Sequence, residues 1–440
     1  MHLNIQSATE ACQEMRHLFP QTPLQRNEYL SNLYQADIYL KREDLTPVRS
    51  YKIRGAFNAM RRGLIRDSAL NRFVCASAGN HAQGVAFACQ YFGVTGVIFM
   101  PVTTPKQKID KTRIFGGDMI DIHLVGDYFE ETLTAAKSFS AKNAARFLPP
   151  FDDADVIEGQ ASVAIEMLDQ SDQPIDMVIL PVGGGGLSAG VTSYLTAASP
   201  DTAFRFVEPQ GAKSLAAAVK SGKPVSLKAV DNFVDGAAVA RIGDLNFAAL
   251  ADVNPDHILA SPENRLCETM SQLLNLEGIV LEPAGALSVD ILQDLRDQIK
   301  GKRVVCVTSG GNFDFERLPE VKERAMRFGG LKKYFLLRLP QRPGALKEFL
   351  GILGPDDDIS RFEYLKKSTR NFGTVLIGIE TKHKDNFSAI FDRLENSGMG
   401  YERWSQDFGP AVKMDRLMRK TIQNDKTKEP FTRLQSQGCA

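Results

Sequence analysis

No run of 18 apolar residues occurs in the 440-residue sequence, so no helix of membrane-spanning type is expected. The first residues, Met1-His2-Leu3-Asn4-Ile5-Gln6, lack a basic segment followed by an apolar one, and the chain is read as cytoplasmic. Cysteine is sparse. Cys12, Cys75, Cys89, Cys267, Cys306 and Cys439 form no C-x-x-C and have no histidine at ligand spacing, which argues against a disulfide frame or a zinc site and leaves buried thiols as the expectation. Gly438-Cys439-Ala440 is not a prenylation box. Neither sign of charge is in excess: 53 basic and 53 acidic residues give a formal net charge of zero, which speaks against nucleic acid or a membrane surface as the main partner. What remains is a chain with ample material for two to four structural units.

One stretch organises the rest. Met177-Val178-Ile179-Leu180 has strand character, Gly183-Gly184-Gly185-Gly186 follows as a turn, and Leu187-Ser188-Ala189-Gly190 opens a segment of helix type. Four glycines carry no Cβ to hold backbone away from a ligand and can take positive φ, so their N–H groups can converge on an anion. The helix start adds unpaired N–H groups and the positive end of its dipole, completing a phosphate cradle. No Gly-Lys-Ser/Thr follows, as a Walker A loop would require. The acid that a dinucleotide site places about twenty residues on is at best Asp201, in a Ser-Pro-Asp turn. The phosphate therefore belongs to some other phosphorylated cofactor.

Read in order, the chain alternates strand and helix. A helical lead-in over residues 1–35 ends near Thr22-Pro23-Leu24, a strand follows at Ile38–Leu40, and a helix carries Ser50-Tyr51-Lys52-Ile53-Arg54-Gly55-Ala56, with Ser50 as its expected N-cap. Apolar Tyr51 and Ile53 flank Lys52, which favours a desolvated amine of lowered pKa, as imine chemistry requires. Phe73–Ala76 is a strand, Ser77-Ala78-Gly79-Asn80-His81-Ala82-Gln83-Gly84 a turn and Val85–Tyr91 a helix; strands at Val94–Met100 and Met119–Val125 flank a helix at Pro105–Phe115. Such alternation implies parallel sheets covered by helices, with ligands at the carboxyl ends of the strands. His81 is expected to bond to backbone, because no orienting acid is identifiable; Asn80 is read as functional. A second series runs from about Ile175 to the strand Arg303–Thr308, which opens onto Ser309-Gly310-Gly311-Asn312.

Past residue 330 the character changes. Strands at Tyr334–Leu339, Ile359–Tyr364, Thr374–Glu380 and Tyr401–Trp404 interleave with helices starting at Arg342-Pro343-Gly344-Ala345-Leu346, with Pro343 near N1, and spanning Asp385–Glu395. That is the ferredoxin-like βαββαβ order. The tail 406–440 is charged and is expected to be partly disordered. The expected organisation is thus an α/β unit 1–330, containing a smaller α/β subdomain at 72–147, then a ferredoxin-like unit 331–405 and the tail.

Taken together, the Lys52 segment, the Ser77–Gly84 turn and the glycine turn resemble those of the fold-type II pyridoxal-phosphate enzymes, an α/β class with two open, mainly parallel subdomains. More closely, they resemble the biosynthetic threonine dehydratases, over roughly residues 15–330. The Arg342–Leu346 segment with its βαββαβ context is similar to the ACT-like regulatory domain of those enzymes. The resemblance implies pyridoxal 5'-phosphate as cofactor, carried by Lys52. Gly183, Gly184, Gly185, Gly186 and Leu187 would hold the phosphate, Asn80 the ring hydroxyl, and Ser309 would face the pyridine nitrogen. Ser77, Ala78 and Gly79 would bind the substrate carboxylate. A serine facing the nitrogen makes the ring a weaker electron sink than an aspartate would, which favours elimination over transamination. The implied reaction takes L-threonine to 2-oxobutanoate and ammonia as the first step of isoleucine biosynthesis, with isoleucine or valine as effectors and a homotetramer or homodimer as the assembly. Two positions depart from relatives. Ala78 stands where serine racemases carry a serine base, so racemisation is not expected, and Ser214, six residues after Glu208, replaces an aspartate of cation-dependent relatives, so no metal is expected. A catabolic serine/threonine dehydratase, or an amino-acid sensor with a dead catalytic site, are the other readings.

Overall fold

The computed structural model describes residues 3–366 and 372–403, which fall into two compact units meeting between Ala325 and Met326. In the first unit the strands are β1 (Leu24–Arg26), β2 (Asp37–Arg42), β3 (Arg72–Ala76), β4 (Thr95–Met100), β5 (Ile120–Leu124), β6 (Arg146–Phe147), β7 (Met177–Pro181), β8 (Ala203–Pro209), β9 (Ile258–Ser261) and β10 (Arg303–Thr308). Its helices are α1 (Ile5–Met15), α2 (Glu28–Tyr34), α3 (Lys52–Arg66), α4 (Asn80–Phe92), α5 (Lys106–Gly116), α6 (Phe129–Lys142), α7 (Ala154–Gln170), α8 (Gly186–Ala198), α9 (Ser214–Ser221), α10 (Asp244–Leu250), α11 (Glu263–Glu277), α12 (Pro283–Asp290) and α13 (Arg296–Ile299), and α14 (Leu318–Phe328) runs across the division between the units.

Two sheets result. The larger runs β1-β2-β10-β7-β8-β9 and is parallel except for the edge pair β1/β2; the smaller runs β5-β4-β3-β6 and is parallel throughout. Why the central strands read as unbroken apolar runs follows from burial on both faces. Met177, Ile179, Val304 and Cys306 join one core cluster, while their neighbours Val178, Leu180, Val305 and Val307 join another, as a side-chain period of two demands. Each layer of helices thus has its own share of the strands, and the strand ends open onto Ser77–Gly79, the glycine turn and Ser309–Asn312.

The second unit has β11 (Lys332–Pro340), α15 (Ala345–Leu350), β12 (Asp357–Lys366), β13 (Phe372–Thr381), α16 (Asn386–Asn396) and β14 (Tyr401–Arg403). The sheet is antiparallel in the order β12-β13-β11-β14, which is the ferredoxin-like arrangement. Phe335, Leu337, Val375 and Ile377 pack under Phe349, Phe387, Ile390 and Leu394 in a core of its own. Trp404 and the 406–440 tail lie outside the described residues.

Several local expectations shift. Leu24–Arg26 is a short edge strand instead of the end of a helical lead-in, because its backbone pairs with Tyr39–Lys41. Ser50 is not a helix cap. Arg49 turns the chain at φ +58°, Ser50 makes an antiparallel bridge to Gly310, and α3 starts at Lys52. The turn after β3 is shorter than expected, since α4 already begins at Asn80. Pro343 precedes α15 by two residues, and Gly344 at φ +88° occupies the cap position that a side chain would strain.

Candidate active site

Lys52 is the first residue of α3, and two neighbours hold its backbone in place. The Tyr51 N–H donates to Ser309 O at 3.1 Å, and Gly84 of α4 lies so close that a Cβ there would meet the Lys52 carbonyl carbon at 3.2 Å. The side chain passes between two rings, with Nζ 5.2 Å from the Tyr51 centroid and 5.8 Å from that of Phe151, and donates to Pro150 O at 2.8 Å. Burial lowers its pKa to about 8, with Glu282 pulling the other way. An amine so placed is partly neutral at physiological pH, the state a nucleophile needs.

The glycine turn meets the same segment from the other side. A Cβ on Gly184 would stand inside the Phe151 ring, and one on Gly186 would reach Phe151 at 3.1 Å. Only Gly185 uses positive φ (+91°); the other glycines are needed for close approach. The carbonyl of Gly184 accepts from Gly243 N at 3.1 Å and Asn246 Nδ2 at 2.7 Å, and that of Gly183 from Ser214 Oγ at 3.2 Å. With the carbonyls tied outward, the N–H groups of Gly183 to Leu187 have no acceptor among the described residues. Five donors at a helix start form a cradle for an anion, and a phosphate fits it.

Asn80, at the start of α4, donates from Nδ2 to Glu282 Oε1 at 2.7 Å and accepts at Oδ1 from Asn312 Nδ2 at 2.8 Å. Ser309 is buried after β10, and its Oγ donates to Ala284 O at 3.3 Å. Ser77, Ala78 and Gly79 link β3 to α4; Gly79 N donates to Ser77 Oγ at 3.2 Å, and Gly79 faces open space. His81 donates from Nε2 to Leu148 O at 3.0 Å, and burial with Lys52 nearby pushes its pKa down to about 3, so the imidazole is neutral and bound to backbone. Glu208 is pushed up to about 7 by burial and accepts from Leu215 N at 2.6 Å and Ala216 N at 3.0 Å, capping α9. Among the described residues no group of three or more His, Cys, Asp or Glu stands ready to hold a metal.

The comparisons with known proteins decide the family. The pyridoxal-phosphate dependent enzyme family matches residues 15–310, and the C-terminal regulatory domain of threonine dehydratase matches residues 323–409. The biosynthetic L-threonine dehydratase of Bacillus subtilis is 46% identical over 92% of this chain and 96% of its own length; that of Halalkalibacterium halodurans is 44% identical over 91% and 96%. The chain belongs to the biosynthetic threonine dehydratase family. The processed form of threonine deaminase isoform 2 from Solanum lycopersicum superposes with a TM-score of 0.68 at 35% identity, covering 73% of this chain and 93% of that one.

As a member of that family the chain is a pyridoxal-phosphate dependent enzyme with a C-terminal regulatory domain. Among the described residues no helix is long and apolar enough to cross a membrane. Sequence reasoning missed Pro150, Phe151, Glu282 and Asn312. Phe151 sits in Pro149-Pro150-Phe151, which reads as an ordinary loop, and only contact with the glycines distinguishes it. Glu282 lies just before Pro283 at the start of α12, and nothing in that local pattern distinguishes it as a partner of Asn80.

Proposed function

We propose that this chain is an L-threonine ammonia-lyase that converts L-threonine to 2-oxobutanoate and ammonia at the start of isoleucine synthesis, under control of isoleucine or valine through its C-terminal unit. One observation carries the reading: an amine biased toward neutrality, Lys52, shares Phe151 as a wall with a turn of five unpaired N–H groups. When bound, pyridoxal phosphate supplies an electron sink that acidifies the substrate Cα–H and lets the β-hydroxyl depart.

The chain's residues then have separate tasks. Gly183, Gly184, Gly185, Gly186 and Leu187 would bind the phosphate by their N–H groups, and Lys52 Nζ would hold the cofactor and serve as the base for the substrate Cα proton. Asn80 donates to the ring hydroxyl. Ser309 Oγ, whose hydroxyl donates to Ala284 O in this structure, would face the pyridine nitrogen without being able to protonate it as a carboxylic acid would, which would favour elimination. The substrate carboxylate sits against Ser77, Ala78 and Gly79 at the start of α4, where backbone N–H groups and the helix dipole favour an anion. Ala78 offers no base on the opposite ring face, so the Cα proton is not returned there and racemisation is not expected.

The test is direct. Purified enzyme should form 2-oxobutanoate from L-threonine faster than pyruvate from L-serine, and isoleucine should change that rate. Borohydride reduction followed by peptide mapping should place the cofactor on Lys52, and Lys52→Ala should lose both turnover and the cofactor's visible absorbance while keeping its circular dichroism. Reduced label on another lysine would defeat the assignment.

A further inference from the structure

Three side chains from three elements close on one another beside Lys52. Asn80 donates from Nδ2 to Glu282 Oε1 at 2.7 Å, and its Oδ1 accepts from Asn312 Nδ2 at 2.8 Å, which also donates to Val48 O at 2.8 Å. Glu282 is 6% exposed and occupies room left by absent side chains: a Cβ on Gly310 would run into Oε1, and one on Gly236 would meet it at 3.4 Å. Among the described residues no Lys, Arg or His nitrogen lies within 4.0 Å of this carboxylate. A buried carboxylate without a cation is costly, and holding one here calls for a reason.

A primary amide can stand either way round, exchanging its oxygen and its NH2. Here the choice is made from both ends. An ionised carboxylate only accepts, and the NH2 of Asn312 only donates, so Asn80 must turn Nδ2 to Glu282 and Oδ1 to Asn312. The second Nδ2 hydrogen is left for a third partner. We infer that Glu282 is a positioning residue that sets the orientation of Asn80, so that the amide meets the cofactor's ring oxygen as a donor, and that the proton on Glu282 controls the strength of that contact.

This rests on the reading of Asn80 as the partner of the ring hydroxyl. The charged groups facing Glu282 are Lys52 from α3, Lys108 and Lys111 from α5, and Asp235 from the loop before α10. Burial and Asp235 push its pKa up to about 7, while Asn80, Lys108 and Lys52 oppose them. Below that value the carboxyl is protonated and its bond to Asn80 loses charge assistance. Above it the acceptor-only state holds Asn80 firmly. The ionisation of the ring hydroxyl, and with it the visible spectrum of bound cofactor, should therefore follow the Glu282 proton.

The experiment titrates the absorbance of substrate-free holoenzyme between roughly pH 5.5 and 8.5, the window around the raised value. Wild-type enzyme should show one spectral step near neutrality. Glu282→Gln should abolish the step and raise the cofactor dissociation constant roughly tenfold, as expected for losing about 1.4 kcal/mol of binding, with kcat falling more than KM. Glu282→Asp should restore the step. An unchanged step and unchanged dissociation constant in Glu282→Gln would overturn the inference, as would a lower melting temperature of the cofactor-free protein as its sole effect. Should that variant fail to fold, Asn312→Ser carries the test. It should weaken cofactor binding several-fold with the step retained, and unaltered binding would overturn the proposal. A wild-type band without any pH step would sink this inference alone, whereas a band surviving Lys52→Ala would sink the reading of the site beneath it.

Discussion

At Lys52 an ordinary ammonium has been brought within reach of neutrality. Its pKa of about 8, lowered by burial, leaves roughly a quarter of the amines uncharged at pH 7.5, against about one in a thousand for an unperturbed lysine. The rate at which cofactor-free enzyme captures pyridoxal phosphate should therefore rise with pH and level off with a midpoint near 8, followed by rapid-mixing absorbance. A midpoint above 10 would contradict the desolvation argument. The sign for stability is the reverse of the usual lysine pair. The folded pKa lies below the unfolded one, so the burden of the buried charge is present in full below pH 8 and fades as pH climbs toward 10.5. Flanking Tyr51 and Ile53 hinted at this desolvation in the sequence. The second ring, Phe151, and the Pro150 carbonyl that accepts from Nζ come from a segment nearly a hundred residues away, and no local pattern marked them.

Among the elements, α3 and the glycine turn do the positioning. Arg54, two residues after Lys52, is fully buried; it bonds Glu43 at 2.7 and 2.8 Å, Glu166 twice at 2.8 Å and Ser162 at 3.0 Å, while Lys41 adds a bond to Glu166 at 2.7 Å. The network ties α3 to α7 and to the segment after β2. Arg54→Met would strand the buried Glu43 carboxylate and strip Glu166 of one of its cations, and should cost about 3–5 kcal/mol by urea unfolding, since removing one partner leaves uncompensated charge. At the turn, Gly184→Ala drives a methyl into the Phe151 ring. Overpacking of this kind costs about 1–3 kcal/mol, and moving Phe151 disturbs both the cradle and the Lys52 wall, so equilibrium dialysis should find cofactor affinity reduced tenfold or more. Unaltered affinity would show that the ring is free to step aside. The glycine run announced itself in the sequence because only glycine allows such approach. The Arg54 network did not, because its carboxylates come from residues 43 and 166 and are recognisable only when folded together.

For the whole molecule, each unit has its own core, built around β7 and β10 in the first and around Phe335 in the second. Removing residues 331–440 should leave threonine turnover within about twofold and abolish any response to isoleucine or valine, a comparison that steady-state assays of the two forms can make. Loss of turnover together with the effector response would show that the catalytic unit depends on its neighbour. The alternation of strands and helices, the parallel sheets, the βαββαβ unit and the three turns at strand ends were legible in the sequence, because periodicity, glycine and proline act over a few residues and leave local marks, whereas the edge strands β1 and β9 were not. Tertiary structure alone decided that Ser50 bridges Gly310 instead of capping a helix, that Phe151 walls the cradle, and that Glu282 and Asn312 grip Asn80 from opposite sides. Those relations join residues separated by up to two hundred and sixty positions, and their energy exists only once burial has removed the water that would otherwise satisfy each group alone.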